Sequence, residues 1–182
     1  MSDYFQNIPE IKYEGKESDN SLCFKYYNED QTILGKTMKE HLRFATCYWH
    51  TFTWPGLDPF GGPTLERPWM SSGDPLVMAE MKLNAAFDFF AKIKTPYFCF
   101  HDRDVAPEGS NYLETKKNLD HIIKLMEQKM KETNVQLLWG TANSFSHKRY
   151  MSGALTNPDP EVFAYIAAQV KDCMDVTKLL GG

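Results

Sequence analysis

Hydrophobic residues follow two alternating patterns along the chain: short unbroken apolar runs, and longer stretches with helical spacing. The apolar runs lie at residues 44–49, 97–100 and 135–139. Runs this short, bounded by turn residues, are typical of strands buried on both faces of a sheet. A helical stretch follows each run, which gives the order β-α-β-α-β-α and predicts an α/β fold with parallel strands joined by right-handed crossovers.

The three predicted helices have recognisable starts and buried faces. Asp74 and Pro75 suit an N-cap and a first helical position, and Asn111 with Glu114 has a spacing like that of a capping box. The turn 157–160 precedes the third helix. The expected buried stripes are Leu76, Ala79, Leu83, Phe87 and Phe90; then Leu119, Ile122, Ile123, Met126 and Met130; then Val162, Phe163, Ile166, Val170, Met174 and Thr177.

Two segments fall outside this alternation. Residues 1–41 are polar and irregular, with one short helix expected at residues 38–42, and we interpret them as an N-terminal arm on an α/β portion at 42–182. The loop from His50 to about Gly73 is dense in turn residues and carries Phe60 at an apolar tip. A loop of this length is usually functional or part of an interface. Packing of Phe60 on its own domain is the competing interpretation.

Candidate chemistry follows the second strand. His101, Asp102, Arg103 and Asp104 come directly after it, at the strand end where α/β proteins place their functional groups. The alternative is a salt-bridged strand end, in which Arg103 neutralises both aspartates and His101 is only a hydrogen-bonded structural residue. The pattern itself leaves both open.

Composition narrows the function classes. A chain of 182 residues with 42% hydrophobic and 24% charged residues fits one globular domain. The net charge of -4 argues against nucleic acid as a partner. Four scattered cysteines without a C-x-x-C pair fit reduced thiols. With no visible signal peptide and no apolar run of membrane-spanning length, we expect a cytoplasmic protein without a membrane partner.

Seven stretches resemble one family, the xylose isomerases of the class with an extended N-terminus, in the order and at the spacings of that family. They are Tyr13-x-Gly15-Lys16, His41-Leu42-Arg43-Phe44, Tyr48-Trp49-His50-Thr51-Phe52, Asp58-Pro59-Phe60-Gly61, Phe98-Cys99-Phe100-His101-Asp102-x-Asp104, Leu138-Trp139-Gly140-Thr141-Ala142-Asn143 and Thr156-Asn157-Pro158-Asp159-Pro160-Glu161-Val162-Phe163. The resemblance covers nearly the whole chain and points to the N-terminal portion of the family's sequence.

The resemblance implies a fold and an activity. The fold is the first three βα units of a TIM (β/α)8 barrel preceded by an N-terminal arm. The activity is aldose–ketose isomerisation of D-xylose to D-xylulose, by ring opening and a metal-assisted 1,2-hydride shift. The residues that match the family's motifs are His101 for ring opening, Asp104 for holding the imidazole tautomer, Trp49, Trp139 and Phe145 for the pocket wall, Thr141 and Asn143 for contacts to substrate and solvent, and Phe60 for reaching into a neighbouring subunit.

The resemblance also implies cofactors and partners. The family uses two divalent metal ions (Mg²⁺, Mn²⁺ or Co²⁺) and forms homotetramers, and its substrate is a small sugar, here D-xylose with D-glucose as a second candidate. The metal ligands belong to later strands, so we expect this chain to hold no metal and to be inactive alone. Two alternatives stay open: a truncated, non-catalytic half-barrel that acts as a binding or assembly module, and a different metal-dependent barrel enzyme.

Overall fold

The computed structural model describes residues 4–182 and contains two sheets and five α-helices within that range. In chain order the elements are β1 (Thr32–Ile33), β2 (Lys36–Thr37), α1 (Met38–His41), β3 (Ala45–Cys47), α2 (Pro75–Ile93), β4 (Tyr97–His101), α3 (Asp102–Val105), α4 (Tyr112–Thr133), β5 (Gln136–Thr141) and α5 (Pro160–Leu179). A π-helical turn (Trp49–Thr53) and 3-10 turns (Pro68–Met70 and Lys148–Tyr150) lie between them. No helix in the described range is long and apolar enough to cross a membrane.

The central sheet has the strand order β3-β4-β5, and both pairings are parallel. This confirms the predicted α/β class with its parallel sheet and alternating helices. The first predicted strand, at 44–49, is shorter than expected: β3 ends at Cys47, and the π-helical turn begins at Trp49. The third runs from 136 to 141, which is later than the predicted 135–139.

Helices α2 and α4 start where the sequence predicts. The Asp74 carboxylate accepts hydrogen bonds from the N–H groups of Leu76 and Val77, and the Asn111 side chain accepts one from Glu114 N at 3.0 Å. The capping box does not close, however, because the Glu114 carboxylate binds the backbone N–H and hydroxyl of Ser110 instead of the Asn111 N–H. The predicted stripes of both helices face the core.

The stripe predicted for α5 is partly wrong. Ile166 is buried as expected, but Phe163 and Met174 are exposed. The residues of α5 that are buried are Ile166, Gln169, Cys173 and Val176. The helix is rotated relative to the prediction because Gln169, a polar residue, has a buried carboxylate as its partner. The apolar content of the helix alone therefore indicates the wrong face.

The amino-terminal segment packs on the carboxyl-terminal half of α2. The Phe5 and Phe89 ring centroids are 5.7 Å apart, and Ile11 N donates to the carbonyl of Lys92 at 2.7 Å. The short helix expected at residues 38–42 is confirmed as α1. Residues 1–3 of the arm lie outside the described range, and the boundary at 41/42 stays a prediction.

Candidate functional site

The carboxyl ends of the parallel strands meet at one edge of the sheet. His101 is the last residue of β4, and it pairs in register with Thr141, the last residue of β5. The π-helical turn that follows β3 begins at Trp49. These ends border a cleft of about 370 Å³. The residues lining the cleft are Trp49, His50, Thr53, Trp54, Pro55, His101, Asp104, Asn143, Phe145 and Ser146.

His101 and Asp104 are held together by one turn of helix. The chain turns into α3 directly after β4, which brings the Asp104 carboxylate back over residue 101. Its Oδ2 atom accepts hydrogen bonds from His101 N at 2.9 Å and from the imidazole Nδ1 at 3.0 Å. A carboxylate acceptor requires the proton on Nδ1, so Nε2 of a neutral ring is left as an acceptor. The pair can therefore take up a proton at Nε2.

Three aromatic side chains surround the imidazole. From the His101 ring centroid, the distances are 4.8 Å to Trp49, 5.3 Å to Phe145 and 6.2 Å to Trp139. The two indole rings lie 5.5 Å apart. A register shift between Phe98 and Cys99 in the β4–β5 pairing brings Trp139 opposite Cys99. The three residues predicted to wall the pocket are thus brought together around the predicted base.

Asn143 shapes the loop after β5. Its side-chain oxygen accepts from Phe145 N at 3.2 Å and from Ser146 N at 2.9 Å, and its Nδ2 donates to Ser146 Oγ at 2.9 Å. These bonds fix the backbone that carries Phe145. Thr141 is exposed beside the cleft. Contacts of Thr141 and Asn143 with a substrate stay predictions.

Asp102 points away from the cleft into a buried network that the sequence did not reveal. Its side chain is 1% exposed. Oδ1 accepts from the backbone N–H of Asn143 at 2.8 Å and Oδ2 accepts from Gln169 Nε2 at 2.8 Å. Gln169 in turn accepts from the Tyr150 hydroxyl at 2.6 Å. Burial raises the pKa of the Asp102 carboxyl, although Arg103 and these hydrogen bonds oppose the shift. The network ties β4, the loop after β5 and α5 together.

Arg103 does not neutralise both aspartates, as the salt-bridge interpretation required. Its Nη1 lies 3.5 Å from Asp102 Oδ2, and its Nε lies 3.9 Å from Glu108 Oε2. Glu108 also pairs with Arg149, whose guanidinium lies 3.9 Å from the ring centroid of Tyr165. Arg103 therefore belongs to the Asp102 side of the strand end, and His101 is the described hydrogen-bond partner of the Asp104 carboxylate.

Lys82 is a second residue near Asp104 that the sequence did not reveal. This α2 side chain is partly buried, and its Nζ donates to Thr53 Oγ1 at 3.3 Å. Desolvation lowers the pKa of the Lys82 ammonium to about 8, with the charge of Asp104 opposing that shift. The signal in the sequence was a lysine directly beside the apolar stripe that includes Ala79, Leu83 and Phe87.

The Phe60 side chain does not pack against the described part of this chain. The side chain is 97% exposed, which overturns the interpretation that it packs on its own domain. Asp58 Oδ1 accepts from Phe60 N at 2.7 Å and from Gly62 N at 3.0 Å, so the tip is a defined turn. The ring is therefore accessible to another molecule, and its contact with a neighbouring subunit stays a prediction.

A second cavity, of about 420 Å³, lies at the opposite edge of the sheet. It is apolar and sits between the amino-terminal arm and the starts of β3 and β4, lined in part by Tyr13, Phe24 and Phe44. Its two charged residues, Lys94 and Glu29, pair with each other at 2.5 Å. No described group there is free for chemistry of the kind His101 and Asp104 offer.

The described side chains do not fit a divalent metal centre. Within residues 4–182, no three or more His, Cys, Asp or Glu residues come together as metal ligands. Divalent cations such as Mg²⁺ prefer several oxygen ligands. The carboxylates nearest the cleft are already engaged, Asp104 with His101 and Asp102 with Asn143 and Gln169. The chemistry that the described side chains offer is proton transfer at the His101–Asp104 pair.

Comparison with known proteins finds relatives that carry the name of the family that the motifs suggest. The xylose isomerase of Roseobacter denitrificans is 57% identical over 182 residues, covering 100% of this chain and 42% of that protein. That of Photobacterium profundum is 55% identical with the same coverage, and that of Agrobacterium fabrum is 56% identical over 179 residues, covering 98% of this chain and 41% of that protein. This chain is a homologue of the xylose isomerases. No family model matches it.

The predicted resemblance to the N-terminal portion of xylose isomerase is thereby confirmed. The chain spans about 42% of the length of these relatives. The matched region covers 100% of this chain and so contains the whole described cleft. The activity of the whole xylose isomerase is a matter for proposal here, because more than half of each relative has no counterpart in this sequence.

Proposed function

We propose that this chain is the part of an aldose–ketose isomerase that opens the ring of D-xylose before the sugar is converted to D-xylulose. The observation that carries the proposal is the 3.0 Å contact between His101 Nδ1 and Asp104 Oδ2 at the floor of an aromatic-walled cleft. The xylose isomerase relatives support the choice of sugar. D-glucose, with the same ring chemistry, is the second candidate substrate.

Ring opening needs one proton to move between two sugar oxygens. The anomeric hydroxyl loses its proton to Nε2 of neutral His101 as the bond between C1 and the ring oxygen breaks. C1 becomes an aldehyde carbon, and the ring oxygen receives the proton and becomes a hydroxyl. Asp104 keeps Nε2 available by holding the other proton on Nδ1, and it stabilises the imidazolium that forms in between.

The aromatic wall supplies binding and shields the proton transfer from water. Trp49 and Trp139 present apolar ring surface on which the C–H face of a pyranose can pack, and Phe145 covers the imidazole from another side. Excluding water strengthens the electrostatic interaction between His101 and Asp104. By the family resemblance, Thr141 and Asn143 would contact sugar hydroxyls or ordered solvent at the rim.

The remaining steps and the assembly rest on the family resemblance. The chain would form the first three βα units of a (β/α)8 barrel, with residues 1–41 as its arm. The hydride shift, and the two divalent ions (Mg²⁺, Mn²⁺ or Co²⁺) that assist it, would need residues outside this chain. Phe60 would enter the cleft of a neighbouring subunit in a homotetramer. A cytoplasmic location stays a prediction.

Anomer exchange of D-xylose tests the ring-opening role. Pure α-D-xylose is added to the chain, and the anomeric protons are followed by NMR as they reach equilibrium. We expect the wild-type chain to accelerate exchange and to form no xylulose. His101→Gln should return exchange to the buffer rate, and the matched control His121→Gln, at an exposed histidine on α4, should keep the acceleration. Equal rates for wild type and His101→Gln contradict the proposal.

The alternative function is a non-catalytic binding or assembly module. Its supporting observation is the exposed apolar surface of α5, which includes Phe163, Met174 and Leu179. If the chain is such a module, neither the wild-type chain nor His101→Gln should accelerate anomer exchange. The intact mass of the natural protein separates the two further, since a mass more than twice the 21.0 kDa of this chain indicates the remaining barrel.

A further inference from the structure

A hydrogen-bonded path leads from the His101–Asp104 pair to a cation inside the fold. The Thr53 hydroxyl donates to the backbone carbonyl of Asp104 at 3.3 Å. The same hydroxyl oxygen accepts from Nζ of Lys82 at 3.3 Å. Thr53 ends the π-helical turn that begins at Trp49, so Lys82 links α2 to both the pocket wall and α3.

The Asp104 side chain is only 8% exposed, and its Oδ2 accepts two hydrogen bonds from His101. A nearby positive charge stabilises a buried carboxylate further. Arg103 faces Asp102 and Glu108 instead. Lys82 lies near Asp104, because its Nζ and the Asp104 backbone carbonyl share the Thr53 hydroxyl, and the charge of Asp104 opposes the lowering of the Lys82 pKa. Within residues 4–182, Lys82 and a protonated His101 are therefore candidates for the positive charge.

We propose that Lys82 is a positioning residue that balances the charge of Asp104 and thereby keeps the imidazole of His101 neutral. A neutral ring is the form whose Nε2 can accept a proton. If His101 itself carried the countercharge, Nε2 would already hold a proton and the ring could not act as a base. This inference rests on the proposed ring-opening role, because that role is what makes a neutral imidazole useful.

The neighbouring titratable groups do not replace Lys82. The Tyr48 hydroxyl is buried, and no described group within residues 4–182 makes a hydrogen bond with it. Burial and the charge of Asp104 raise its pKa, so it stays uncharged. Glu80 and His121 form an exposed pair between α2 and α4, with 2.6 Å between Glu80 Oε1 and His121 Nε2. Glu80 and His121 contact each other and not Asp104. The NMR signals of His121 therefore titrate separately from those of His101.

Imidazole NMR of the chain measures the predicted effect without sugar or metal. The five histidines are distinguished by their ¹⁵N and ¹³C ring signals, with His101 assigned from the His101→Gln variant. At pH 7 we expect Lys82→Met to raise the doubly protonated fraction of His101 at least threefold. Lys82→Arg should restore the wild-type fraction, and Lys124→Met, at an exposed lysine of α4, should leave it unchanged. An unchanged fraction in folded Lys82→Met overturns the inference.

A second measurement needs no variant at position 82. In the wild-type chain, the ¹³Cε signal of Lys82 and the ring nitrogens of His101 are followed together from pH 6.5 to 9.5. Loss of the Lys82 proton should produce an inflection in the His101 signals at the same pH, separate from any inflection of His121. A His101 ring that does not respond contradicts the inference. If the chain leaves anomer exchange at the buffer rate while the Lys82 and His101 signals still change together, that result contradicts only the proposed function.

Discussion

A single oxygen of Asp104, Oδ2, accepts hydrogen bonds from both the backbone N–H and the imidazole of His101, at 2.9 and 3.0 Å. The charge of this oxygen selects the Nδ1–H tautomer. Asp104→Asn keeps the shape but supplies an amide that can donate as well as accept. We expect the wild-type ring to show one neutral tautomer by ¹⁵N NMR and the variant to show both. A single Nδ1–H tautomer in Asp104→Asn would mean that the geometry alone selects it.

The buried Asp102 carboxylate should matter for stability more than for chemistry. It accepts from two backbone N–H groups, those of Arg103 and Asn143, and from Gln169. In Asp102→Asn one of these contacts becomes a donor facing a donor, so we expect a loss of about 1–3 kcal/mol in the free energy of unfolding. Urea titration measures it, with the half-exposed Asp120→Asn as control, for which a change within about 0.5 kcal/mol is expected. Equal losses for both variants contradict the network.

The buried face of α5 differs from the face that its apolar pattern predicts, so the two assign different stability effects to substitutions in this helix. Ile166 is 0% exposed and Met174 is 67% exposed, although both belong to the predicted stripe. Ile166→Ala should lower the free energy of unfolding by about 2–4 kcal/mol because it leaves a cavity. Met174→Ala should change it by less than about 0.5 kcal/mol. If urea titrations show comparable losses in the free energy of unfolding for both variants, Met174 is buried as the apolar stripe predicted.

Lys82 gives the stability of the fold a pH dependence of known sign. The pKa of its ammonium is lowered from 10.5 to about 8 in the folded chain. Between these values the unfolded state binds more protons, so raising the pH stabilises the folded state. From pH 7 to 9 the contribution of Lys82 should rise by about 1 kcal/mol. The unfolding free energy of wild type minus that of Lys82→Met, measured at both pH values, isolates this contribution. A difference that stays constant or falls disproves it.

The sequence predicted features whose determinants lie close together in the chain. The N-cap of α2 follows from Asp74 and Pro75. The His101–Asp104 pair, which the family resemblance implied, joins residues only three positions apart. Gln169 could not be predicted, because its partner Asp102 lies 67 residues earlier and only the folded chain brings them together. A polar residue in an amphipathic helix is normally assigned to solvent, which explains the error in the face of α5.

Lys82 was missed for a related reason. A lysine beside an apolar stripe is ordinarily a residue whose stem packs on the core and whose ammonium reaches water. Here the ammonium meets the Thr53 hydroxyl instead, and Thr53 belongs to a π-helical turn at the start of the predicted loop. The loop prediction assigned no partner to Thr53, so the long-range contact was not visible in the sequence.

The Asp104 Oδ2 atom accepts hydrogen bonds from both the imidazole and the backbone amide of His101. The His101 amide hydrogen donates to Oδ2, the atom that also holds the imidazole. Its exchange with deuterated solvent therefore requires the bond between His101 N and Asp104 Oδ2 to break. The protection of this single amide reports the stability of α3 where it meets the imidazole, in the resting protein and without a probe.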